Sequence, residues 1–145
     1  MPAIEYRFPA DPATLREIRG QLRTALENRG LSPRAISKTL LAFDEVVSNA
    51  IEHGHAYRAA GNLLHLRVAI HEGDLCLDFF DLDVPEDLVR HLAQLLAASA
   101  GKPPDLEAER GRGLFLIDDA FDEVSINVGR SGGMHLQGKV LKVLD

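Results

Sequence analysis

Leu64-His65-Leu66-Arg67-Val68-Ala69-Ile70-His71-Glu72-Gly73-Asp74-Leu75-Cys76-Leu77-Asp78-Phe79 is the stretch that decides the fold. Leu64, Leu66, Val68 and Ile70 alternate with His65, Arg67, Ala69 and His71, and this period of two predicts a half-buried strand from Asn62 to Glu72. Glu72-Gly73-Asp74 is a turn, and Leu75, Leu77 and Phe79 line one face of the returning strand. The connection is too short for a crossover, so the pair is antiparallel. A second hairpin is predicted from Glu123–Val128, the turn Gly129-Arg130-Ser131-Gly132-Gly133, and a strand from Met134 to Val143. Each hairpin has one apolar face that something must cover.

Helices supply the cover. Asp11-Pro12 is an N-cap followed by a first-turn proline, opening a helix that runs to about Asn28 with Leu15, Ile18, Leu22 and Ala25 as its apolar stripe. Ser32-Pro33 repeats the signal, and the next helix runs to His53-Gly54 with Ile36, Leu40, Phe43, Val47 and Ala50 inward. Glu86 to Ser99 is helical, with Leu88, Leu92, Leu95 and Leu96 at the spacing of an ordinary packed helix. Ala100-Gly101-Lys102-Pro103-Pro104 breaks it, inside a mobile loop expected over about 99–110. A helix from Gly113 to Phe121 follows, and Ala3–Phe8 is a short first strand. The order excludes an alternating Rossmann-type domain. It predicts one α+β domain over 1–145, a two-layer α/β sandwich with helices on one face of a mixed, largely antiparallel sheet.

With 145 residues, 46% of them hydrophobic, the chain suits a single packed core. No run approaches the ~18 apolar residues of a membrane span, and Met1–Arg7 lacks a signal-peptide layout. The lone Cys76 excludes a disulfide framework and a cysteine-based zinc site. A cytoplasmic protein is expected. Of the formal net charge of −6, the distribution says more than the total: residues 72–123 carry 14 acidic side chains against four basic ones. Such a block repels phosphate backbones, which argues against a nucleic-acid partner.

Two segments carry chemistry. In Leu41–Gly54, Glu45, Asn49 and His53 are four apart and share one helical face, flanked by Asp44, Ser48 and Glu52. A carboxylate one turn from an amide suits a general base beside a metal-coordinating oxygen, although a solvated stripe is the commoner meaning of this spacing. His53 by spacing alone is a helix-end histidine. In Glu109-Arg110-Gly111-Arg112-Gly113-Leu114-Phe115-Leu116-Ile117, a Gly-x-Gly before an apolar helix offers backbone N–H groups to an anion, and two arginines add phosphate-matching donors. A P-loop is excluded, because no Gly-Lys-Ser/Thr follows.

In this order the two segments resemble the GHKL (Bergerat-fold) ATPases. Glu45-x-x-x-Asn49 followed by Glu52-His53-Gly54 looks like their N-box. Gly111–Ile117 with Phe121-Asp122-Glu123-Val124-Ser125-Ile126 resembles the second glycine box and following strand of the anti-sigma-factor serine kinase branch. Gly132-Gly133-Met134-His135-Leu136 is similar to that branch's closing hairpin, with methionine where threonine is usual. The first glycine box, Asp-x-Gly-x-Gly in the family, corresponds to Asp81-Leu82-Asp83-Val84-Pro85, which keeps the aspartate and fills both glycine positions.

The resemblance implies an anti-sigma-factor serine/threonine protein kinase that binds ATP and Mg²⁺ and switches between a sigma factor and a STAS-domain anti-anti-sigma protein, as a homodimer. It implies Glu45 as catalytic base, Asn49 as Mg²⁺ ligand, Asp81 as adenine reader, and His53, Arg110, Gly111, Arg112, Gly113 and Leu114 around the nucleotide, under a lid at 99–110. Arg16, Arg19 and Arg23 gather on one face of the first helix, and the resemblance makes Arg16 and Arg19 partner-binding, Arg19 foremost. The alternative is a binding module of the same fold with an eroded nucleotide site and no kinase activity. A sensor histidine kinase catalytic domain is a weaker third reading.

Overall fold

The computed structural model describes residues 2–99 and 109–145. Its elements are β1 (Ile4–Phe8), α1 (Pro12–Asn28), α2 (Pro33–Gly54), β2 (Leu64–His71), β3 (Asp74–Asp81), α3 (Glu86–Ser99), α4 (Glu109–Ala120), β4 (Glu123–Val128) and β5 (Met134–Val140). The five strands form one sheet in the order β1-β2-β3-β5-β4. The fold is the expected α+β sandwich. All four pairings are antiparallel, so the sheet has no parallel component among the described strands.

Both helix starts form as the sequence dictates. Asp11 accepts a hydrogen bond from the Thr14 N–H at 2.8 Å, and Ser32 accepts one from Ala35 at 3.2 Å. Each satisfies a backbone donor that the first turn leaves without an intrahelical partner. Proline follows each cap.

Strand alternation separates the two faces of the sheet. Leu64, Leu66 and Val68, then Leu75, Leu77 and Phe79, then Met134, Leu136 and Val140 are buried beneath the helices. They meet Leu22 and Leu26 of α1, Leu40, Phe43 and Val47 of α2, Val89, Leu92 and Leu96 of α3, and Leu114 and Ile117 of α4 in one core. The α3 leucines are thus packing residues, as their spacing predicts. Across the opposite face His65, Phe80 and His135 stand directly opposite one another and stack, with centroids 5.1 and 4.3 Å apart.

The strands β2 and β5 are shorter than expected, Leu64–His71 instead of Asn62–Glu72 and ending at Val140 instead of Val143, and the boundary that bears on the site departs further. The helix expected at Gly113 begins at Glu109, so Gly111 and Gly113 lie inside α4 rather than before it. Glutamate at a helix start is favoured by the positive end of the helix dipole, which outweighs the modest helical penalty of the glycines. Ser99 therefore closes α3 and Glu109-Arg110 opens α4; the rest of the expected lid, 100–108, lies outside the described residues.

Candidate functional site

The long helix α2 sets the site. Its buried stripe runs through Ile36, Leu40, Phe43, Val47 and Ala50, and that packing fixes which residues remain at the margin. Glu45, Asn49 and His53 are half-buried along it, one turn apart. Burial raises the Glu45 carboxyl above its ordinary pKa, with the neighbouring Asp44 charge as a second cause. Asp44 is itself held from α1: Arg19 Nε lies 3.0 and 2.9 Å from its two carboxylate oxygens. Arg19 therefore already has an intrachain partner, and this pairing uses only its Nε. Arg16 and Arg23 on the same helix are exposed.

At the end of β3, Asp81 is almost fully buried, at 1% exposure. Its carboxylate is taken by a residue that the sequence reading passed over. Arg58, four residues past the end of α2, donates from Nη1 to Oδ1 at 2.7 Å and from Nη2 to Oδ2 at 2.9 Å. The same Nη2 donates to the Ala50 carbonyl at 3.0 Å, so one guanidinium bridges α2 to the end of β3. The bonds to Asp81 hold the Arg58 pKa above its usual value against the effect of burial. Both carboxylate oxygens are thus engaged, and in this arrangement Asp81 does not present a carboxylate to an adenine.

Asp83, at a glycine position of the motif this stretch resembles, has its own contacts. Its oxygens accept from Asn62 Nδ2 at 2.7 Å and from the Ala59 N–H at 3.3 Å, and Oδ2 stands 3.9 Å from Arg58 Nη1. A signal for this cluster was present in the sequence. The Asp81-x-Asp83 pair of acids needs positive or N–H partners if buried, and Arg58 is the one Lys or Arg between Gly54 and Leu64.

The glycine segment changes its meaning with the start of α4. The first turn of a helix has free N–H groups, and the groups beyond it are used by the helix ladder. Glu109, Arg110 and Gly111 are first-turn residues, whereas Gly113 and Leu114 fall within the ladder. Gly113 and Leu114 therefore do not supply anion-binding amides in this arrangement, and the Leu114 side chain is in the core. An Mg²⁺-nucleotide fits the donor chemistry of the α2 margin, where Asn49 offers an amide oxygen one turn from a carboxylate. At the Asp81 end, a donor from such a group could be accepted only with Arg58 withdrawn.

The family model for the histidine kinase-like ATPase domain matches residues 8–138. The chain belongs to that family.

Among its relatives are the serine-protein kinases RsbW of Oceanobacillus iheyensis, 27% identical over 124 residues (86% of this chain, 78% of that protein), and of Staphylococcus epidermidis, 27% identical over 123 residues (85% and 77%). A chain of the SiaB–SiaC complex of Pseudomonas aeruginosa superposes with a TM-score of 0.77 at 18% identity, covering 94% of this chain and 88% of that one. The structure of the RsbU and RsbW domains of Rv1364c from Mycobacterium tuberculosis gives 0.66 at 21% identity, covering 97% of this chain and 32% of that one. These superpositions show the fold. No helix among the described residues of this family member is long and apolar enough to cross a membrane.

Proposed function

We propose that this chain is a partner-switching serine/threonine protein kinase of the anti-sigma-factor type, acting in the cytoplasm as a homodimer. It binds Mg²⁺-ATP, holds a sigma factor, and phosphorylates a STAS-domain antagonist. The observation that carries this reading is the α2 margin: Glu45 one turn from Asn49, beside Ala50, which a single guanidinium links to the buried Asp81. The two RsbW relatives, each named a serine-protein kinase, support it.

In this reading the bound nucleotide supplies the phosphoryl group, and the chain's residues position and protect it. Asn49 would hold Mg²⁺ through its side-chain amide oxygen, a hard donor suited to that cation. Glu45 takes the proton of the acceptor hydroxyl, a task suited to a half-buried carboxylate with a raised pKa. Arg110 and Arg112 carry charge suited to phosphate, and His53 lies one turn beyond Asn49. Asp81 would accept a hydrogen bond from the adenine amino group if its arginine were withdrawn.

Calorimetry with ATP and ADP, with and without Mg²⁺, tests the reading. Binding is expected to depend on the metal, and Asn49→Ala is expected to weaken metal-dependent binding by at least about tenfold and flatten the Mg²⁺ dependence. Wild-type protein that binds no nucleotide at millimolar concentration would favour the second reading, a partner-binding module without kinase activity. The engaged state of Asp81 and the proline at the glycine position of residue 85 favour that alternative.

Partner exchange is assigned to the α1 face. Arg19 pairs through Nε with Asp44 and still has the amino groups of its fork to offer a partner carboxylate. Arg19→Ala is expected to weaken both the sigma-factor and antagonist complexes by about tenfold, the scale of a moderate interface hot spot. Nucleotide affinity should stay unchanged. A pull-down in which both partners bind at wild-type strength would remove Arg19 from the interface.

A further inference from the structure

Arg58 occupies the position where the proposed function needs a free acceptor, and three observations show that the chain is built around it. The first is the bidentate pair with Asp81, buried at both ends, with side chains 12% and 1% exposed. Planar fork-to-carboxylate pairing of this kind is short, directional and charge-assisted. The second is Gly54. A Cβ there would collide with the Arg58 guanidinium, lying 2.9 Å from Cζ and closer still to Nη2, so only glycine leaves room for the arginine in this pose. The third is Asp83, which binds the Ala59 N–H and the Asn62 side chain and so ties down the segment carrying Arg58. Asp83 is therefore a working part of this arrangement rather than a residue left by loss of a glycine.

We propose that Arg58 is an internal competitor for the nucleotide base: its guanidinium donates to Asp81 in place of an adenine amino group, and nucleotide binds only to molecules from which it has withdrawn. The inference rests on the nucleotide-binding reading given above. It identifies Arg58 as the residue that sets nucleotide affinity and base selectivity. A cleft of about 400 Å³ lined by Ile51, His55, Arg58 and Asn62 gives the side chain space beside its present position. The apparent dissociation constant is the intrinsic one divided by the fraction of open molecules. A latch closed in about nine molecules of ten therefore weakens binding about tenfold.

The test is titration of ATP and GTP, each with Mg²⁺, into the full chain and its Arg58→Ala variant, read by calorimetry. Arg58→Ala is expected to bind ATP at least about tenfold more tightly than wild type, the change produced by removing such a latch. GTP should gain little, because guanine presents a carbonyl where adenine presents the amino donor. Because losing Arg58 leaves a buried carboxylate without its cation, thermal melts accompany each titration. Arg58→Lys and Asp83→Gly provide folded alternatives. Lysine keeps the charge without the fork, and Asp83→Gly frees the 59–62 segment while retaining Arg58. Both are expected to tighten ATP binding by less than Arg58→Ala does. ATP affinity equal to wild type in all three variants would overturn the competitor role while leaving the nucleotide site standing. Absence of binding to wild type and to every folded variant would overturn the nucleotide reading and the competitor role together.

Discussion

Glu45→Gln is expected to lower phosphotransfer to a STAS-domain substrate by about 10²–10⁴-fold, the range for loss of a positioned general base. Nucleotide affinity and partner binding should be unchanged, because a base acting on the acceptor hydroxyl makes its contribution in the transition state. The raised pKa adds a second readout. Activity should rise with pH through a value above that of an ordinary glutamate, because only the ionised form accepts the proton. The same shift fixes the sign of the stability effect. A carboxyl raised in the folded state favours the protonated protein, so its contribution is present at low pH and lost as pH rises through the folded pKa. At neutral pH the ionised Glu45 is held at a disadvantage by burial and by Asp44. Glutamine should therefore melt no lower than wild type. A kinase assay with full activity in Glu45→Gln would return this residue to a solvated stripe.

The fold was legible because its two hairpins announce themselves by strict alternation, and because Asp11-Pro12 and Ser32-Pro33 start their helices as local chemistry requires. The stripe of α2 was readable for the same reason: a period of 3.6 with one broad apolar face leaves Glu45, Asn49 and His53 on the margin. Two features were not legible. The start of α4 depends on a balance between the favourable position of Glu109 and two helical glycines, and glycine punctuation alone points to the later start. Arg58 was hidden because its partners are distant in sequence. Asp81 is 23 residues away, and nothing local to the segment 55–61 shows which carboxylate it will meet. Two carboxylates two residues apart in a strand end are the signal, and reading them requires asking what neutralises them.

Gly133→Ala is expected to destabilise the fold more than the same substitution at its neighbour Gly132, by an argument that needs no ligand. Gly133 has φ of 68°, in the left-handed region. An alanine there loses about 1–2 kcal/mol from backbone crowding alone. A Cβ would also lie 2.5 Å from the Asp81 carbonyl oxygen and 2.7 Å from the Leu82 carbonyl carbon. These are main-chain atoms at the end of β3, so the strand itself must move, and overpacking of this kind costs a further 1–3 kcal/mol or so. Gly132 is the internal control, with φ of 88° and nothing within 4 Å of its Cβ position. Gly132→Ala should therefore show only the backbone part. For a domain of this size the expected drop in melting temperature is about 10 °C for Gly133→Ala and about 4 °C for Gly132→Ala. Asp81 sits on the displaced strand end, so Gly133→Ala should also disturb the Arg58 pair, which the control leaves alone. Equal melting temperatures for the two variants would show that β3 yields to the new methyl without resistance, and that Gly133 is needed for its backbone angle alone.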